Sequence, residues 1–205
     1  MRERKILVAA LLVLGSAFVQ PAASAPVLFD FEDQSFGADT PFSITNGLLT
    51  ATFASPADPG AFGITSAFPL FTIMSGNILL SPGSAFVDSV PLVITFSQPV
   101  HSVSFQFGLG GVDPGGLIEL TTNAGGSASV GGTVPIGSLL PQGTLFFEGD
   151  SFTVLTLSSN MLDFGIDNLS VDASVDPTPL PASLPLFATG LLALAAVRGR
   201  IMARA

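Results

Sequence analysis

The chain has 205 residues, and its charges are few and unevenly placed. Charged residues make up 10% of it, against roughly 25% in ordinary soluble domains. It has no cysteine, which excludes disulfides, zinc–thiolate sites, iron–sulfur clusters and a cysteine nucleophile. No Lys or Arg occurs from Ile6 to Val197, whereas fourteen of the fifteen acids lie there, so this stretch carries about −14. Such a region cannot neutralise phosphates, which excludes nucleic acid as a partner.

The first 25 residues have the three parts of a secretory signal peptide. A short basic segment ends at Lys5, an apolar run follows over Ile6–Val19, and Ala23-Ser24-Ala25 supplies small residues for cleavage. We therefore expect export through the Sec pathway and removal of residues 1–25. The alternative is an uncleaved anchor.

The segment 176–205 has the pattern of a second targeting signal. It is proline-rich at first, then apolar over 184–197, and it ends with Arg198, Arg200 and Arg204. The apolar run would span about 21 Å as a helix, short of a hydrocarbon core of about 30 Å. Residues 184–202 could cross if the arginines reach back to the headgroups. We expect at least transient insertion in the inner membrane, with these arginines on the cytoplasmic side as membrane-stop residues.

This tail resembles the PEP-CTERM protein-sorting signal of Gram-negative bacteria. The resemblance rests on Pro179-Leu180-Pro181-Ala182, the PLPA variant of the proline-rich motif, and on the apolar run and arginines that follow it. It implies that an exosortase-type enzyme cuts the tail and releases the protein to the cell surface or the exopolysaccharide matrix. The alternative is a tail that stays in place as a permanent membrane anchor.

The region 26–175 between these ends shows strand patterns and almost no helix. Period-2 or β-branched and aromatic runs occur at Val27–Glu32, Thr50–Phe53, Leu92–Phe96, Val100–Phe107, Leu117–Thr121, Thr144–Phe147, Phe152–Leu157 and Phe164–Val171. Turn signals separate them, among them Asn46-Gly47, Gln98-Pro99 and Glu148-Gly149-Asp150. This pattern predicts an all-β antiparallel sandwich or barrel. The glycine-rich stretches 108–116 and 123–132 are either flexible loops or strands with small side chains.

The same region resembles the jelly-roll sandwiches found ahead of PEP-CTERM tails. The resemblance rests on the acidic opening strand Phe29–Asp33, the central pair Pro91–Phe96 and Val100–Phe107, and the closing motif Ile166-Asp167-Asn168-Leu169. It implies a jelly-roll-like β-sandwich of the galactose-binding or carbohydrate-binding-module type. A signal-peptide helix and a hydrophobic tail helix would flank it.

Calcium is the ion that the acids of this region favour. The first and last strands of a jelly roll tend to lie close together, which would bring Asp30, Glu32 and Asp33 near Asp167 and Asn168. Ca²⁺ takes carboxylate and amide oxygens, and the region has no Lys or Arg to pair with its acids. No EF-hand pattern is present. The alternative is that these acids are solvated at strand ends.

The signals for catalysis are weak. His101, the single histidine, falls by alternation on the apolar side of its strand with Val103 and Phe105, and no GxSxG motif accompanies it. We therefore predict no enzyme. The alternative is a surface glycan hydrolase that uses a pair of carboxylates.

A carbohydrate contact would need exposed aromatic side chains. These would have to be Phe, because the chain has no Trp or Tyr. Phe36, Phe42, Phe62 and Phe68 lie in the loop-rich region 35–71 and are the candidates, with the core as the alternative for each. We expect a non-enzymatic exported protein that is structural, adhesive or glycan-interacting, with an extracellular polysaccharide as partner. A permanently membrane-anchored structural domain is the further alternative.

Overall fold

The computed structural model describes residues 25–67, 69–81, 90–111 and 115–173. Within these ranges the regular elements are all β-strands, so this part of the chain offers no helix that could cross a membrane. The predicted signal peptide up to Ser24, the PLPA motif and the apolar tail lie outside the described residues. The strands are β1 (Val27–Phe29), β2 (Phe42–Asn46), β3 (Leu49–Ala54), β4 (Gly63–Ser66), β5 (Asn77–Leu80), β6 (Leu92–Gly110), β7 (Leu117–Thr122), β8 (Ser127–Gly131), β9 (Gln142–Ser159) and β10 (Asp163–Ala173).

The ten strands of the described residues form one antiparallel sheet, and its two longest strands, β6 and β9, each take part in both halves of it, which we call the first and second layers. Leu92 near the start of β6 pairs with Leu157 near the end of β9, and Gly108 pairs with Gln142 at the other end. The register shifts between Thr95 and Val100, where both strands pass from one layer to the other. The predicted turns at Gln98-Pro99 and Glu148-Gly149-Asp150 are therefore wrong, because these residues lie inside β6 and β9. Proline is tolerated there because the ladder is already irregular.

The two layers have different strand orders. The first layer runs β2-β3-β6-β9-β7-β8 and uses the start of β6 and the end of β9. The second layer runs β4-β5-β10-β6-β9 and uses the opposite halves of the long strands. Strand β1 adds to β10 on the edge that β5 also occupies.

The inner faces of both layers enclose one cluster of buried apolar residues. Phenylalanine rings pack against one another in this core: Phe31 lies 5.2 Å from Phe53 of β3, and Phe62 lies 5.1 Å from Phe164 of β10, both edge to face. Each fully buried Phe contributes roughly 1.5–3 kcal/mol of transfer free energy. The structure thus confirms the prediction of an all-β, antiparallel domain.

The glycine-rich stretches are in part strands with small side chains, one of the two alternatives. Residues 127–131 form β8, and residues 108–110 end β6. At Gly108 a Cβ atom would collide with the ring of Phe71, so the close approach of that ring requires glycine.

Candidate functional site

The single histidine lies on the surface of the second layer. The prediction that His101 shares the apolar side of its strand is wrong: His101 is exposed, whereas Val100 and Val103 are both buried. The cause is the register shift between Val100 and Ser102, which resets the alternation at that point. A histidine on an open strand surface lacks the enclosed setting that nucleophilic catalysis uses.

The structure separates the phenylalanines that were candidates for a sugar platform. Phe62 is fully buried against Phe164, and Phe42 stacks on Phe53 with ring centroids 5.3 Å apart. Phe36 is exposed, and among the described candidates it is the most accessible to a ligand. Phe68 lies outside the described residues.

A different phenylalanine, Phe146, stands on the outer face of the second layer. Its side chain is 62% exposed, while its neighbours Leu145 and Phe147 point into the core. Strand alternation alone could have identified it: once Leu145 and Phe147 are assigned to the core, the residue between them must face outward. The run Thr144–Phe147 predicts a strand, and the alternation within it places Phe146 opposite to Leu145 and Phe147.

Phe146 ends a row of side chains that crosses four strands. It pairs with Ser104 of β6, Ser104 with Ser170 of β10, and Ser170 with Leu28 of β1. Neighbouring strands lie about 4.8 Å apart, so this phenylalanine row spans roughly 14 Å. Leu28 at its far end is also exposed. The row therefore has an apolar side chain at each end and two hydroxyls between them.

Polar side chains border the phenylalanine row on both sides. On one side, two residues along the strands from Ser104 and Phe146, Gln106 pairs with Thr144. On the other side, Ser102 pairs with Glu148. The side-chain oxygen of Gln106 accepts a hydrogen bond of 3.0 Å from Asn168, which fixes the orientation of the amide. An aromatic ring can pack on the apolar face of a sugar, and amides and hydroxyls can bind its hydroxyl groups. This outer face therefore has the chemistry of a sugar contact.

The acidic residues predicted to bind calcium lie around the end of β1 and the middle of β10. These two strands pair with each other, as predicted for the first and last strands of the fold. Asp167 is buried in the described structure. Its carboxylate accepts hydrogen bonds from the backbone N–H of Asn168 at 2.7 Å and of Ser75 at 3.2 Å. The pKa of Asp167 is raised to about 6, mainly because burial disfavours the charged carboxylate. The two backbone N–H groups lower the pKa, and the negative charges of Glu32 and Asp30 raise it further.

The other predicted calcium ligands point to different partners. Glu32 accepts a hydrogen bond from the backbone N–H of Asn77 at 3.3 Å, and Asp30 accepts one from the N–H of Glu32 at 3.3 Å. Asp33 lines a groove of about 290 Å³ between β1 and β2. Among the described residues, no three His, Asp or Glu side chains are grouped so that they could hold a metal ion. Calcium binding by Asp30, Glu32, Asp33, Asp167 and Asn168 stays a prediction.

No protein-family model matches the chain, and no curated protein matches it. Among solved structures, it is similar to the K2 cleaved adhesin domain of Lys-gingipain, with 12% identity, a TM-score of 0.48, and coverage of 72% of this chain and 97% of that one. A carbohydrate-binding module of Cellvibrio mixtus lichenase 5A, solved with cellotriose, is 7% identical, covers 74% of this chain and 99% of the module, and has a TM-score of 0.34. A Podospora anserina GH26–CBM35 β-(1,4)-mannanase is 14% identical over 76% of this chain and 29% of that one, with a TM-score of 0.33. At such scores the function has to be inferred from this chain's own residues.

Proposed function

We propose that this protein is a non-enzymatic, exported domain that binds a neutral polysaccharide at the cell surface or in the exopolysaccharide matrix. The contact is the outer face of the second layer of a jelly-roll-like sandwich. The observation that carries the proposal is Phe146, a large aromatic ring that is 62% exposed within strand β9. Hydroxyls and an oriented amide surround this ring, as a sugar ligand requires.

The charges on this face favour a neutral ligand over an anionic one. Asp172 and Glu148 flank Ser102 in the row beside the phenylalanine row. The sequence supplies no Lys or Arg between Ile6 and Val197 to offset them. An anionic polymer would therefore be repelled, whereas a neutral sugar can donate hydroxyl hydrogens to these carboxylates.

Affinity electrophoresis of the full-length protein tests this function with xyloglucan, glucomannan, dextran and alginate in the gel. We expect retardation by at least one neutral polymer and none by alginate. Phe146→Ala should reduce the retardation at least tenfold, while Phe36→Ala and Leu48→Ala, which truncate exposed apolar side chains elsewhere, should behave as wild type. Loss of binding in Phe36→Ala alone would move the site to the loop that follows β1. Release of reducing sugar from any of these polymers would instead favour the hydrolase alternative.

Export and sorting form the second part of the proposal, and they rest on the sequence patterns of both ends. The apolar run after Lys5 and the PLPA motif followed by Arg198, Arg200 and Arg204 support a Sec-exported precursor that an exosortase-type enzyme processes. One epitope tag after Ala124, in the turn between β7 and β8, and another after Ala205 test this. The internal tag should reach the surface matrix without the C-terminal tag. Both tags together in the membrane would establish a permanent anchor.

Calcium at the junction of β1 and β10 is a separate proposal. Asp167 supports it, because a buried carboxylate with neighbouring acids gains most from a nearby cation. Calcium should raise the unfolding temperature of wild type and leave that of Asp167→Asn unchanged. If calcium raised the unfolding temperature by the same amount in wild type, in Asp167→Asn and in an Asp150→Asn control, the effect would be nonspecific charge screening.

A further inference from the structure

The outer face of the first layer carries a repeated pattern of hydroxyl side chains. Six adjacent strands each contribute two outward residues, the second two positions after the first. These pairs begin at Ser43, Thr50, Thr95, Thr156, Glu119 and Ser127, in the strand order of the layer. Eleven of the twelve residues are Ser or Thr, and the exception is Glu119. We call this surface the hydroxyl face.

Strand register aligns these residues into two blocks of rows, one over β2, β3 and β6 and one over β9, β7 and β8. The blocks are offset at the β6–β9 ladder, where Thr95 pairs with Val154 and Thr156 pairs with Val93. Thr52 of β3 pairs with Thr95 of β6. On the other side of the layer, Thr156 of β9 pairs with Thr121 of β7, and Thr121 pairs with Ser127 of β8. The residues between them in each strand, such as Phe53 and Leu120, are buried in the core, so the alternation holds the hydroxyls outside.

The hydroxyls are regularly spaced within each block. Neighbouring strands lie about 4.8 Å apart, and residues two apart along a strand lie about 6.8 Å apart. Two cross-strand hydrogen bonds hold the edge of the array, Ser43 to Thr52 at 2.8 Å and Thr45 to Thr50 at 2.9 Å. Each hydroxyl can donate one hydrogen bond and accept two, and β-branched Thr has few rotamers to lose on binding.

The chemistry of the hydroxyl face selects its partner by charge and polarity. Its single charge is the carboxylate of Glu119, so anionic polymers and anionic lipid surfaces find no cation on it. Val93 and Val154 are half-buried between the hydroxyls, so the face offers little apolar surface to a protein or a lipid. A neutral polymer with a dense, repeating set of hydroxyls remains as the complementary partner.

We propose that the hydroxyl face adsorbs to the surface of an insoluble, ordered neutral polysaccharide, where chains lie side by side. The two offset blocks together extend over six strands and can contact several neighbouring chains at once, whereas a single soluble chain would engage one row of one block. A recess of about 440 Å³ between β7 and β8, where Glu119 stands among Thr121, Ser127 and Ser129, can hold one chain more deeply. The inference rests on the proposed function for the class of polymer, but it places a second contact on the other layer.

Adsorption isotherms of the full-length protein on microcrystalline cellulose and on chitin particles test this inference. The variant combines Thr52→Val, Thr95→Val and Thr121→Val, which remove three hydroxyls and keep β-branched side chains of the same shape. A matched control combines Thr65→Val, Thr72→Val and Thr133→Val, which lie outside the hydroxyl face. The face variant should adsorb at least tenfold more weakly than wild type on at least one polymer, with the control within twofold. Both variants should still unfold in a single cooperative transition, and the face variant should show only the small loss of stability expected from the missing Ser43–Thr52 hydrogen bond.

The outcomes separate this inference from the proposed function. If the face variant adsorbs as wild type, or if wild type adsorbs to neither polymer, the inference is overturned. If the face variant adsorbs as wild type while Phe146→Ala no longer binds soluble polymer, the proposed function stands without the second contact. If the face variant differs from wild type in its effect on ice-crystal growth but adsorbs to both polymers as wild type does, the hydroxyl face binds ordered water rather than polysaccharide. That result would also overturn the inference. Weakened adsorption with unchanged retardation by soluble polymer supports it.

Discussion

The two outer faces of this domain are built from the same two long strands but present different chemistry. In the second layer, β9 exposes Phe146 and Glu148, and its neighbour β6 exposes Ser104. In the first layer, the other halves of these strands expose Thr156 and Thr95, among further hydroxyls. One face thus has a single aromatic platform with acids beside it, and the other has a repeated array that is almost free of charge. Because the register shifts between the two halves of β6 and β9, each of these strands contributes outward side chains to both faces.

The largest effect should come from the core that both faces share. Phe164 is fully buried and packs edge to face on Phe62, so Phe164→Ala should destabilise the protein by about 3–5 kcal/mol. Urea unfolding measures this change. Because one cluster supports both layers, binding at the two faces should disappear together as the variant unfolds. Loss of one binding activity with the other intact would show that the layers fold independently.

A smaller effect should follow from protonation of Asp167. Its pKa is raised from 3.8 to about 6 in the folded state, so between these values the folded protein holds a proton that the unfolded chain has released. Stability should therefore rise as pH falls through about 6 and level off below about 4, by at most about 3 kcal/mol in total, because solvent near the carboxylate screens part of the effect. This gain should be absent from Asp167→Asn.

Urea unfolding of wild type and Asp167→Asn from pH 8 to pH 4, with a chelator present, measures the effect of Asp167 as the difference between the two curves. The buried acid belongs to the second layer, so the effect should appear without any change to the hydroxyl face. Parallel curves for the two proteins would contradict the assignment to this carboxylate.

Phe146→Ala sharpens the comparison of the faces directly. The loss of soluble-polymer binding of tenfold or more corresponds to about 1.4 kcal/mol. The free energy of unfolding should change by less than about 0.5 kcal/mol, because the ring is mostly exposed. Adsorption to an insoluble polymer should fall less than soluble binding does, since the hydroxyl face is unaltered. Equal losses in both assays would show that Phe146 alone carries all binding.

The smallest effect concerns the hydroxyl pairs themselves. Thr45 and Thr50 bond across β2 and β3 at 2.9 Å, and such exposed cross-strand pairs contribute about 0.2–1 kcal/mol. A double-mutant cycle with Thr45→Val and Thr50→Val, followed by urea unfolding, should give a coupling energy in this range. A coupling of zero would mean that water replaces the bond and that the array is not internally ordered.

Much of the sheet could be predicted from period-2 patterns because the layers bury one side of each strand. The predicted runs around Thr50, Val103, Leu120 and Leu155 all lie in strands. The short strands β2, β4 and β5 were missed, since four or five residues give too little alternation to read. The bends inside β6 and β9 were mistaken for turns, because Pro and Gly mark irregular strands as well as loops.

The candidate sites were harder to predict, because they depend on how strands pair. Ser104 and Ser170 are far apart in the sequence, and only the register of β6 and β10 places them in one row with Phe146. His101 was placed on the wrong side because one extra residue in β6, opposite Asp172 and Ala173 of β10, interrupts the alternation that Val103 and Phe105 follow. Burial of Asp167 could not be read from its motif, since the residue turns inward where β1 ends and Asn168 adopts a positive φ of 51°.

The central claim, that a neutral glycan binds over Phe146, is tested most directly by mapping amide chemical shifts on the ¹⁵N-labelled full-length protein. The titration uses soluble oligosaccharides of whichever neutral polymer retards the protein. The account predicts that shifts concentrate at Ser104, Gln106 and residues 144–148, and that Phe146→Ala abolishes them. Shifts centred on Phe36, or a pattern that Phe146→Ala leaves unchanged, would contradict it.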